Sequence, residues 1–351
     1  MGWYRRHARV LPWRADPRRE DDRGRVDPYH VLVSEAMLQQ TQVGTVVDYF
    51  HRFIHALPTV GELAAADEQR VLSLWQGLGY YRRARHLHRA ARALVDQHGG
   101  TIPRSAAELA ALPGIGPYTA GAVASIAFQQ REAVVDGNVA RVLARLEGIE
   151  AVIDEPATRR HLWRLAALLL PSRRPGDFNQ AMMELGATLC RPRSPACGDC
   201  PAAALCRAHQ GGLEGQLPRR RPRRQPQAVE HHIVAIERGG RWLLEKRPDD
   251  GLWAAMWQLP VNETLDDAPA APALVGWVHS RYGLDIAPPA TAAAFTHQTT
   301  HRTIRFHLWQ TSTRGGRLRR GTAALWRRLD QLDDLPLANP QRCAIATLQG
   351  C

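Results

Sequence analysis

The sequence predicts two domains, a mainly α-helical N-terminal domain followed by an α+β C-terminal domain, and three observations support this. The chain has 351 residues, more than a single hydrophobic core usually serves. Apolar residues recur at helical spacing through most of residues 29–210. Beyond residue 228, short strand-like stretches are separated by Gly and Pro turns. We therefore place the domains at residues 1–210 and 229–351, joined by a linker at 211–228.

Local signals predict the positions of individual elements. Asp27 followed by Pro28 is typical of a helix start, with Asp as the N-cap and Pro in the first turn. Helices are expected at 29–38, 105–112, 117–128, 161–170 and 271–282. Strands are expected at 232–236, 241–246 and 302–309. Five Arg, three Gly and three Pro give residues 211–228 the composition of a linker.

The composition is that of a globular protein, with 44% hydrophobic and 23% charged residues. No apolar run approaches the roughly 20 residues of a membrane span, and the first residues lack the apolar stretch of an export signal. We therefore expect a cytoplasmic protein without a membrane partner. A formal net charge of +12 favours nucleic acid as a partner, although surface charge that serves solubility alone would give the same surplus. Of the 46 basic residues, 45 are Arg, and Lys246 is the single Lys.

Four of the six cysteines lie within 17 residues, at Cys190, Cys197, Cys200 and Cys206. Disulfides are rare in the reducing compartment expected for this chain, so the spacing predicts a metal site. Zinc bound by four thiolates is one interpretation. One Cys-x-x-Cys pair with two flanking single cysteines is closer to a loop around a cubane iron–sulfur cluster. The spacing alone leaves both metals open.

Two glycines, Gly114 and Gly116, stand in a short turn between the predicted helices 105–112 and 117–128. A glycine turn before a helix leaves backbone amides exposed at the helix N-terminus, where they can bind a phosphate without reading a base. An ordinary connector between two helices has the same composition. The basic character of the chain favours a contact with the DNA backbone.

Further short motifs run through most of the chain. They are LPWR at 11–14, SEAMLQQTQV at 34–43, WQGLGYY at 75–81, LPGIGPYTA at 112–120, VDGNV at 135–139 and FNQ at 178–180, followed by the cysteine loop. In this order they resemble the helix-hairpin-helix DNA glycosylases that carry an iron–sulfur loop. Within that class the chain resembles the MutY family, which removes adenine mispaired with 8-oxoguanine.

The resemblance implies that Glu35 and Asp136 are catalytic. Glu35 would protonate adenine as a general acid whose pKa is raised in a desolvated pocket. Asp136 would stay ionised and stabilise the positively charged sugar, or attack it. Tyr118 and Asn138 would support these two groups by hydrogen bonds. Taken alone, Glu35 also fits the surface of a helix, and Asp136 also fits a helix N-cap.

Other positions resemble residues of the family that handle the duplex and the base. Gln40 and Tyr80 match positions that wedge into the duplex once the target base has left the stack. Three residues resemble the adenine pocket, namely Trp13, Arg14 and Gln180. The segment 15–26, rich in Arg and Asp, is longer than the family usually shows beside that pocket.

Residues 229–351 resemble the family's Nudix-like second domain, which senses 8-oxoguanine on the opposite strand. Thr300 and His301 match its damage-sensing loop, whereas Thr299 stands where the family commonly has an aromatic residue. A Nudix hydrolase needs a glutamate cluster that holds magnesium. Between residues 259 and 282 the sequence has one Glu, Glu263, and two Asp, so we do not expect nucleoside diphosphate hydrolysis.

The resemblance also implies cofactor, partner and reaction. The four cysteines of the loop would hold a 4Fe–4S cluster, and the partner would be double-stranded DNA with an A:8-oxoguanine or A:G mismatch. We expect a monomer associated with the nucleoid that hydrolyses the N-glycosidic bond. Relatives of the endonuclease III type, which also cut the strand, carry a Schiff-base lysine where this chain has Tyr118, so a monofunctional enzyme is expected. An iron–sulfur DNA-binding module without catalysis is the alternative from another functional class.

Overall fold

The computed structural model describes residues 1–19, 26–222, 225–263, 271–332 and 334–350. These residues form two compact units. The N-terminal unit comprises Met1–Ala66 and Arg83–Pro222, and the C-terminal unit comprises Asp67–Arg82 and Arg223–Cys351. Part of the predicted long segment 15–26, and both Asp residues between 259 and 282, lie outside the described residues.

Residues 1–19 and 26–210 are mainly helical, as predicted. The helices are α1 (Gly2–His7), α2 (Pro28–Leu38), α3 (Val43–Ala56), α4 (Val60–Ala65), α5 (Glu68–Trp75), α6 (Arg82–His98), α7 (Ala106–Ala110), α8 (Pro117–Phe128), α9 (Gly137–Leu146), α10 (Pro156–Leu169), α11 (Pro175–Thr188) and α12 (Arg207–Gln210). Single 3₁₀ turns at Cys197–Asp199 and Ala203–Leu205 shape the cysteine loop. No described helix is long and apolar enough to cross a bilayer.

Helices α2 and α8 form the centre of the N-terminal unit. Asp27 caps α2 through a hydrogen bond from the Tyr29 amide, 2.8 Å long, as the Asp-Pro signal predicted. Pro117 stands in the first turn of α8, directly after the capping Gly116. Both helices are buried along most of their length, which explains their nearly continuous apolar sequences. The two helices pack against each other.

Helix α11 approaches its neighbours at two glycines that leave no room for a side chain. A Cβ on Gly176 would lie 2.2 Å from the Ser125 carbonyl oxygen of α8. A Cβ on Gly186 would lie 2.6 Å from the Cβ of Asn138 on α9. Because real Cβ atoms do not approach other atoms so closely, glycine at these positions lets three helix backbones pack together.

Residues 211–222 of the predicted linker 211–228 pack on the N-terminal unit, whereas Gln227 and Ala228 already belong to the first strand of the C-terminal unit. Leu217 is buried, and its carbonyl oxygen accepts a hydrogen bond of 2.8 Å from Arg145 Nε. The Arg219 carbonyl accepts from the Ile153 amide at 3.0 Å. Arg221 pairs with Glu155 at 2.6 Å. One apolar anchor and nearby acidic side chains therefore order a segment whose composition alone indicates flexibility.

The C-terminal unit is built on one mixed sheet. Its strands are β1 (Gln227–Arg238), β2 (Arg241–Lys246), β3 (Trp257–Gln258), β4 (Val261–Asn262), β5 (Leu284–Ile286), β6 (Ala290–Gln298), β7 (Arg302–Gly316) and β8 (Ala324–Arg327). Strands β1 and β7 run parallel in the middle, with Ile233 opposite Leu308. Antiparallel β2 and β6 flank them. The helices are α13 (Ala271–Tyr282), at the predicted position, and α14 (Asn339–Leu348).

Alternate residues of β1 face two hydrophobic clusters. Ile233 packs in one cluster with Phe306 of β7, whereas Val234 packs in the other with Leu274 and Tyr282 of α13. This alternation is the period-two pattern that a sheet covered on both faces requires. The predicted fold class, a mainly α-helical domain followed by an α+β domain, is thus confirmed.

A buried carboxylate ties α13 to the sheet. Glu245 of β2 is 4% exposed and accepts hydrogen bonds of 2.8 Å from Gln258 Nε2, Arg281 Nη2 and Tyr282 Oη. Three donors compensate for the cost of burying this charge. Glu263, the acidic residue noted near α13, pairs with Arg247 at 2.7 Å.

Candidate active site

Glu35 lies on the buried face of α2 and is 5% exposed. Its Oε2 accepts a hydrogen bond of 2.7 Å from the hydroxyl of Tyr118, the second residue of α8. Burial raises the pKa of Glu35 to about 7, because the charged form loses its hydration. The hydrogen bond from Tyr118 opposes this rise, and the negative charge of Asp136 adds to it. Near neutral pH the carboxyl therefore retains a proton that it can donate.

Asp136 is the N-cap of α9, and its carboxylate lies in a different arrangement of donors. Its Oδ1 accepts from the Val139 amide at 2.7 Å, and its Oδ2 accepts from Asn138 Nδ2 at 2.9 Å. Burial raises the pKa of Asp136 above its ordinary value, because the lost hydration outweighs these hydrogen bonds and the positive charge of Arg141, which lower it. The helix N-terminus also favours the carboxylate form. Two buried carboxyl groups thus interact electrostatically, and Asp136 accepts hydrogen bonds from two donors whereas Glu35 accepts one from Tyr118.

The sequence motifs did not identify Arg141, which links Asn138 to the cysteine loop. Its Nη2 donates to Asn138 Oδ1 at 2.9 Å and to the Gly186 carbonyl at 2.7 Å. Its Nε donates to the Cys190 carbonyl at 2.7 Å. Arg141 follows Asn138 by three residues on α9, so only helical spacing from a recognised residue could have pointed to it.

The four cysteines of the loop line one cavity together with Arg145. Arg145 is 2% exposed and donates to Cys190 Sγ at 3.3 Å and to the Arg191 carbonyl at 2.7 Å. A buried guanidinium beside sulfur suits thiolate ligands, because its charge compensates theirs. Four sulfur donors around one space fit a metal cofactor held by cysteine.

The same cavity offers a second, mixed set of donors. The ligand atoms of Cys197, His209 and Glu214 lie within 4.8 Å of one another, and His209 Nδ1 is 2.8 Å from Glu214 Oε1. This set shares Cys197 with the four-cysteine set, and both sets line the same cavity.

The predicted adenine-pocket residues are buried in the N-terminal unit. Trp13 packs edge-on against Phe50, with ring centroids 5.2 Å apart. Arg14 pairs at 3.2 Å with Glu184, a residue of α11 that the sequence motifs did not identify. Glu184 is 2% exposed and also binds Arg9 at 2.7 Å. Burial alone would raise its pKa, but the hydrogen bonds and charges of the two arginines outweigh burial and lower it.

Gln180, the third predicted pocket residue, lies one helical turn before Glu184 on α11 and is 9% exposed. Helical spacing therefore places Gln180 and Glu184 on one side of α11. Arg14 contacts the same side of the helix through its ion pair with Glu184. The Glu184 carboxylate thus fixes the position of the Arg14 guanidinium through a hydrogen bond.

Gln40 occupies an exposed turn that directly follows α2. Its φ of +60° is uncommon for a residue with a side chain. The buried Arg83 stabilises this turn, because its Nη1 donates to the carbonyls of Ala36 at 3.1 Å and Met37 at 2.7 Å and also to that of Gln39. The last carbonyls of α2 are thereby satisfied.

Gly114 and Gly116 lie in an exposed turn, as the glycine pattern predicted, and Gly114 has a φ of +76°. No side chain caps the N-terminus of α8 at Gly116. The turn therefore presents the end of a twelve-residue helix to solvent.

The predicted damage-sensing residues lie in the turn between β6 and β7. The Thr299 hydroxyl accepts from the Arg302 amide at 3.0 Å, so Thr299 shapes the turn. Thr300 and His301 are exposed beside it. Tyr80, in the same compact unit, is 47% exposed, and its hydroxyl lies 3.0 Å from Thr300 Oγ1.

Comparison with known proteins defines the class first. Residues 33–167 match the model of the HhH-GPD superfamily of base excision DNA repair proteins, and residues 231–347 match a NUDIX domain. A thermostable thymine-DNA glycosylase of known structure aligns with a TM-score of 0.53 and 28% identity, over 60% of this chain and 93% of that one. The helical glycosylase fold is thereby shown.

The relatives then define the family. The adenine DNA glycosylase of Buchnera aphidicola subsp. Baizongia pistaciae is 30% identical over 307 residues, covering 87% of this chain and 82% of that protein. The rat adenine DNA glycosylase is 42% identical over 304 residues, which cover 74% of this chain. The chain spans 59% of the length of the rat protein. The chain belongs to the MutY-type adenine DNA glycosylase family.

The raised pKa of Glu35 has a consequence for stability. Because the folded protein binds this proton more tightly than the unfolded chain, stability decreases as the pH rises from 4.5 through about 7. Glu35→Gln carries no charge and escapes this loss. Between pH 5 and pH 8, the free energy of unfolding of the wild type should fall by about 2 kcal/mol more than that of the variant.

Urea unfolding at both pH values measures this difference. The exposed Glu132 supplies the control, since Glu132→Gln should follow the wild type at each pH. Equal pH dependence in the wild type and in Glu35→Gln would contradict a raised pKa at Glu35.

Proposed function

We propose that this protein is an adenine DNA glycosylase that removes adenine opposite 8-oxoguanine or guanine in double-stranded DNA. One observation carries the proposal: a buried carboxyl that keeps its proton near neutral pH interacts with a second carboxyl that is supplied with donors at a helix N-terminus. Cleavage of an N-glycosidic bond needs this pair of properties. The names of the relatives point to adenine as the base.

The residues divide the work as follows. Glu35 donates its proton to the departing adenine, which is a poor leaving group until protonated. Tyr118 holds the Glu35 carboxyl in one orientation through its hydrogen bond. Asp136 stays ionised and stabilises the positive charge that develops on the sugar. Asn138 fixes the Asp136 carboxylate, and water completes the hydrolysis.

DNA is the partner that the surface chemistry supports. The open N-terminus of α8 at Gly114 and Gly116 is suited to a backbone phosphate. Gln40 and Tyr80 lie on exposed left-handed turns and would occupy the space left by the extruded adenine. Trp13, Arg14 and Gln180 would contact that adenine. In the C-terminal unit, the hydroxyl of Thr300 and the imidazole of His301 would read 8-oxoguanine on the opposite strand.

The cysteine loop fits a 4Fe–4S cluster held by Cys190, Cys197, Cys200 and Cys206. When bound, the cluster would cross-link the loop and hold its basic residues in place for contact with phosphate. Arg145 would donate to the Cys190 sulfur, and Arg141 would tie the Cys190 backbone to Asn138.

Substitution of the general acid tests the proposed chemistry. Glu35→Gln should slow adenine release from an A:8-oxoguanine duplex by about 100-fold or more, because an amide cannot supply the proton. Mismatch binding should survive, and the wild-type rate should fall as the pH rises above about 7. Single-turnover excision assays measure both effects, with Glu132→Gln as the control. A Glu35→Gln rate within threefold of the wild type would refute the assignment.

Metal analysis tests the cluster. Protein purified from iron-replete cells should be yellow-brown and contain about four irons per chain, with acid-labile sulfide. Cys200→Ser should lower the iron content and weaken DNA binding, whereas Cys343→Ser, an exposed cysteine outside the loop, should change neither. If the purified protein instead contains stoichiometric zinc and no acid-labile sulfide, the cluster proposal is wrong and the cysteines hold zinc.

Borohydride trapping tests whether the enzyme is monofunctional. An imine with the sugar requires an uncharged amine, and arginine cannot provide one because its guanidinium stays protonated. Tyr118 donates to Glu35, and Lys246, the single lysine, belongs to β2 of the C-terminal unit. We expect little covalent protein–DNA adduct under conditions that trap a lyase efficiently. Efficient trapping that disappears in Lys246→Ala would overturn the monofunctional mechanism.

A further inference from the structure

Helix α5 and the turn after it, residues 67–82, belong to the C-terminal compact unit although they precede it by 140 residues or more in sequence. Gln69 and Gln76 stand seven residues apart at the two ends of α5, so they lie on the same side of the helix. Both side chains form hydrogen bonds with the sheet-containing part of that unit.

Both polar atoms of the Gln69 side-chain amide form hydrogen bonds. Its Oε1 accepts from Trp257 Nε1 at 2.9 Å, and its Nε2 donates to the Ala255 carbonyl at 3.0 Å. Ala255 is fully buried and has a φ of +62°, a conformation that residues with a side chain rarely adopt. Such a conformation persists only where surrounding contacts determine it. The Gln69 bond is one of those contacts.

Gln76 binds the adjacent part of the same surface. Its Oε1 accepts from the Leu337 amide at 2.8 Å. Leu337 forms a parallel bridge with Trp257, the residue that donates to Gln69. Gln69, Gln76, Ala255, Trp257 and Leu337 therefore form one continuous contact, which we call the docking seam.

The turn that carries Tyr80 begins directly after Gln76. Gly77 and Gly79 have φ values of +102° and +71°, and Tyr80 itself has a φ of +48°. Two internal bonds fix the turn: Trp75 Nε1 donates to the Gly79 carbonyl at 3.2 Å, and the Gly77 amide donates to Tyr81 Oη at 3.3 Å. A turn fixed in this way moves with the helix end that carries it.

Tyr80 is thereby placed against the predicted damage-sensing turn, with its hydroxyl 3.0 Å from Thr300 Oγ1. We infer that Gln69 and Gln76 are positioning residues that hold Tyr80 beside Thr300, so that preference for 8-oxoguanine over guanine depends on the docking seam. This inference rests on the proposed function. The docking seam holds Tyr80 and Thr300 in contact before DNA binds. This preorganisation reduces the entropic cost of ordering the two residues when both contact the same lesion.

The seam does not include the reacting groups. Glu35 and Asp136 belong to the other compact unit, and the hydrogen bonds described for them involve no seam residue. Loss of the seam should therefore reduce the rate on A:8-oxoguanine more than the rate on A:G, because Tyr80 serves both duplexes whereas its contact with Thr300 serves 8-oxoguanine alone. A residue that merely supports folding would lower both rates together.

The test compares Gln69→Ala, Gln76→Ala and the double variant with the wild type, in the full chain. Single-turnover excision rates, with enzyme in excess over DNA but below saturation, are measured on otherwise identical A:8-oxoguanine and A:G duplexes. Each single variant should reduce the ratio of the two rates about three- to tenfold, because Gln76→Ala loses one neutral hydrogen bond and Gln69→Ala loses two. The double variant should lose more. Gln97→Ala, on the exposed surface of α6, is the matched control and should keep the wild-type ratio.

The outcomes separate the inference from the proposed function. A wild type without preference for 8-oxoguanine would refute the proposed specificity and the inference with it. A wild-type preference that the double variant retains, or equal losses on both duplexes, would overturn the inference alone. If the double variant fails to fold, Gln69→Glu carries the comparison, because it keeps an acceptor for Trp257 but places a charged carboxylate oxygen, in place of the amide donor, against the Ala255 carbonyl.

Discussion

The hydrogen bond from Tyr118 to Glu35 joins two apolar, largely buried helices of the N-terminal unit, and the packing of that unit shields Glu35 from solvent. Asp27 starts α2 and Pro117 starts α8 at the points that bring these side chains together. In water a glutamate would be ionised at neutral pH. Here the surrounding helices withhold the hydration that the anion needs, so burial makes the carboxyl an acid of useful strength. The cost is a site that destabilises the fold whenever it is charged.

The second carboxyl shows how environment gives one chemical group two roles. Asp136 is also withdrawn from water, but its helix amide and Asn138 supply the hydrogen bonds that an anion requires. Arg141 extends this arrangement from Asn138 to the backbone at Cys190. The orientation of Asn138 therefore depends on the position of the cysteine loop. A metal that orders the loop can stabilise the active site without taking part in the reaction.

Local signals in the sequence predicted the elements, and the resemblance predicted the residues of the site. The Asp-Pro cap of α2, the glycine turn before α8 and the helix at residues 271–282 are all properties of neighbouring residues. What could not be predicted are partners distant in sequence. Arg14 and Glu184 are 170 residues apart, and Gln69 and Trp257 are 188 apart. Such pairs have no local pattern, because only the packed helices and sheet bring them together.

The near-absence of lysine has a regulatory consequence. Acetylation removes the positive charge of a lysine side chain and with it the electrostatic attraction of that side chain to a polyanion. In this sequence 45 of the 46 basic side chains are guanidinium groups, which lysine acetylation does not touch. Lys246 is the single lysine that could be acetylated, and it lies within strand β2, paired with Trp257 of β3. The positive charge of the protein is therefore set by its sequence and is nearly immune to adjustment through acetyl transfer.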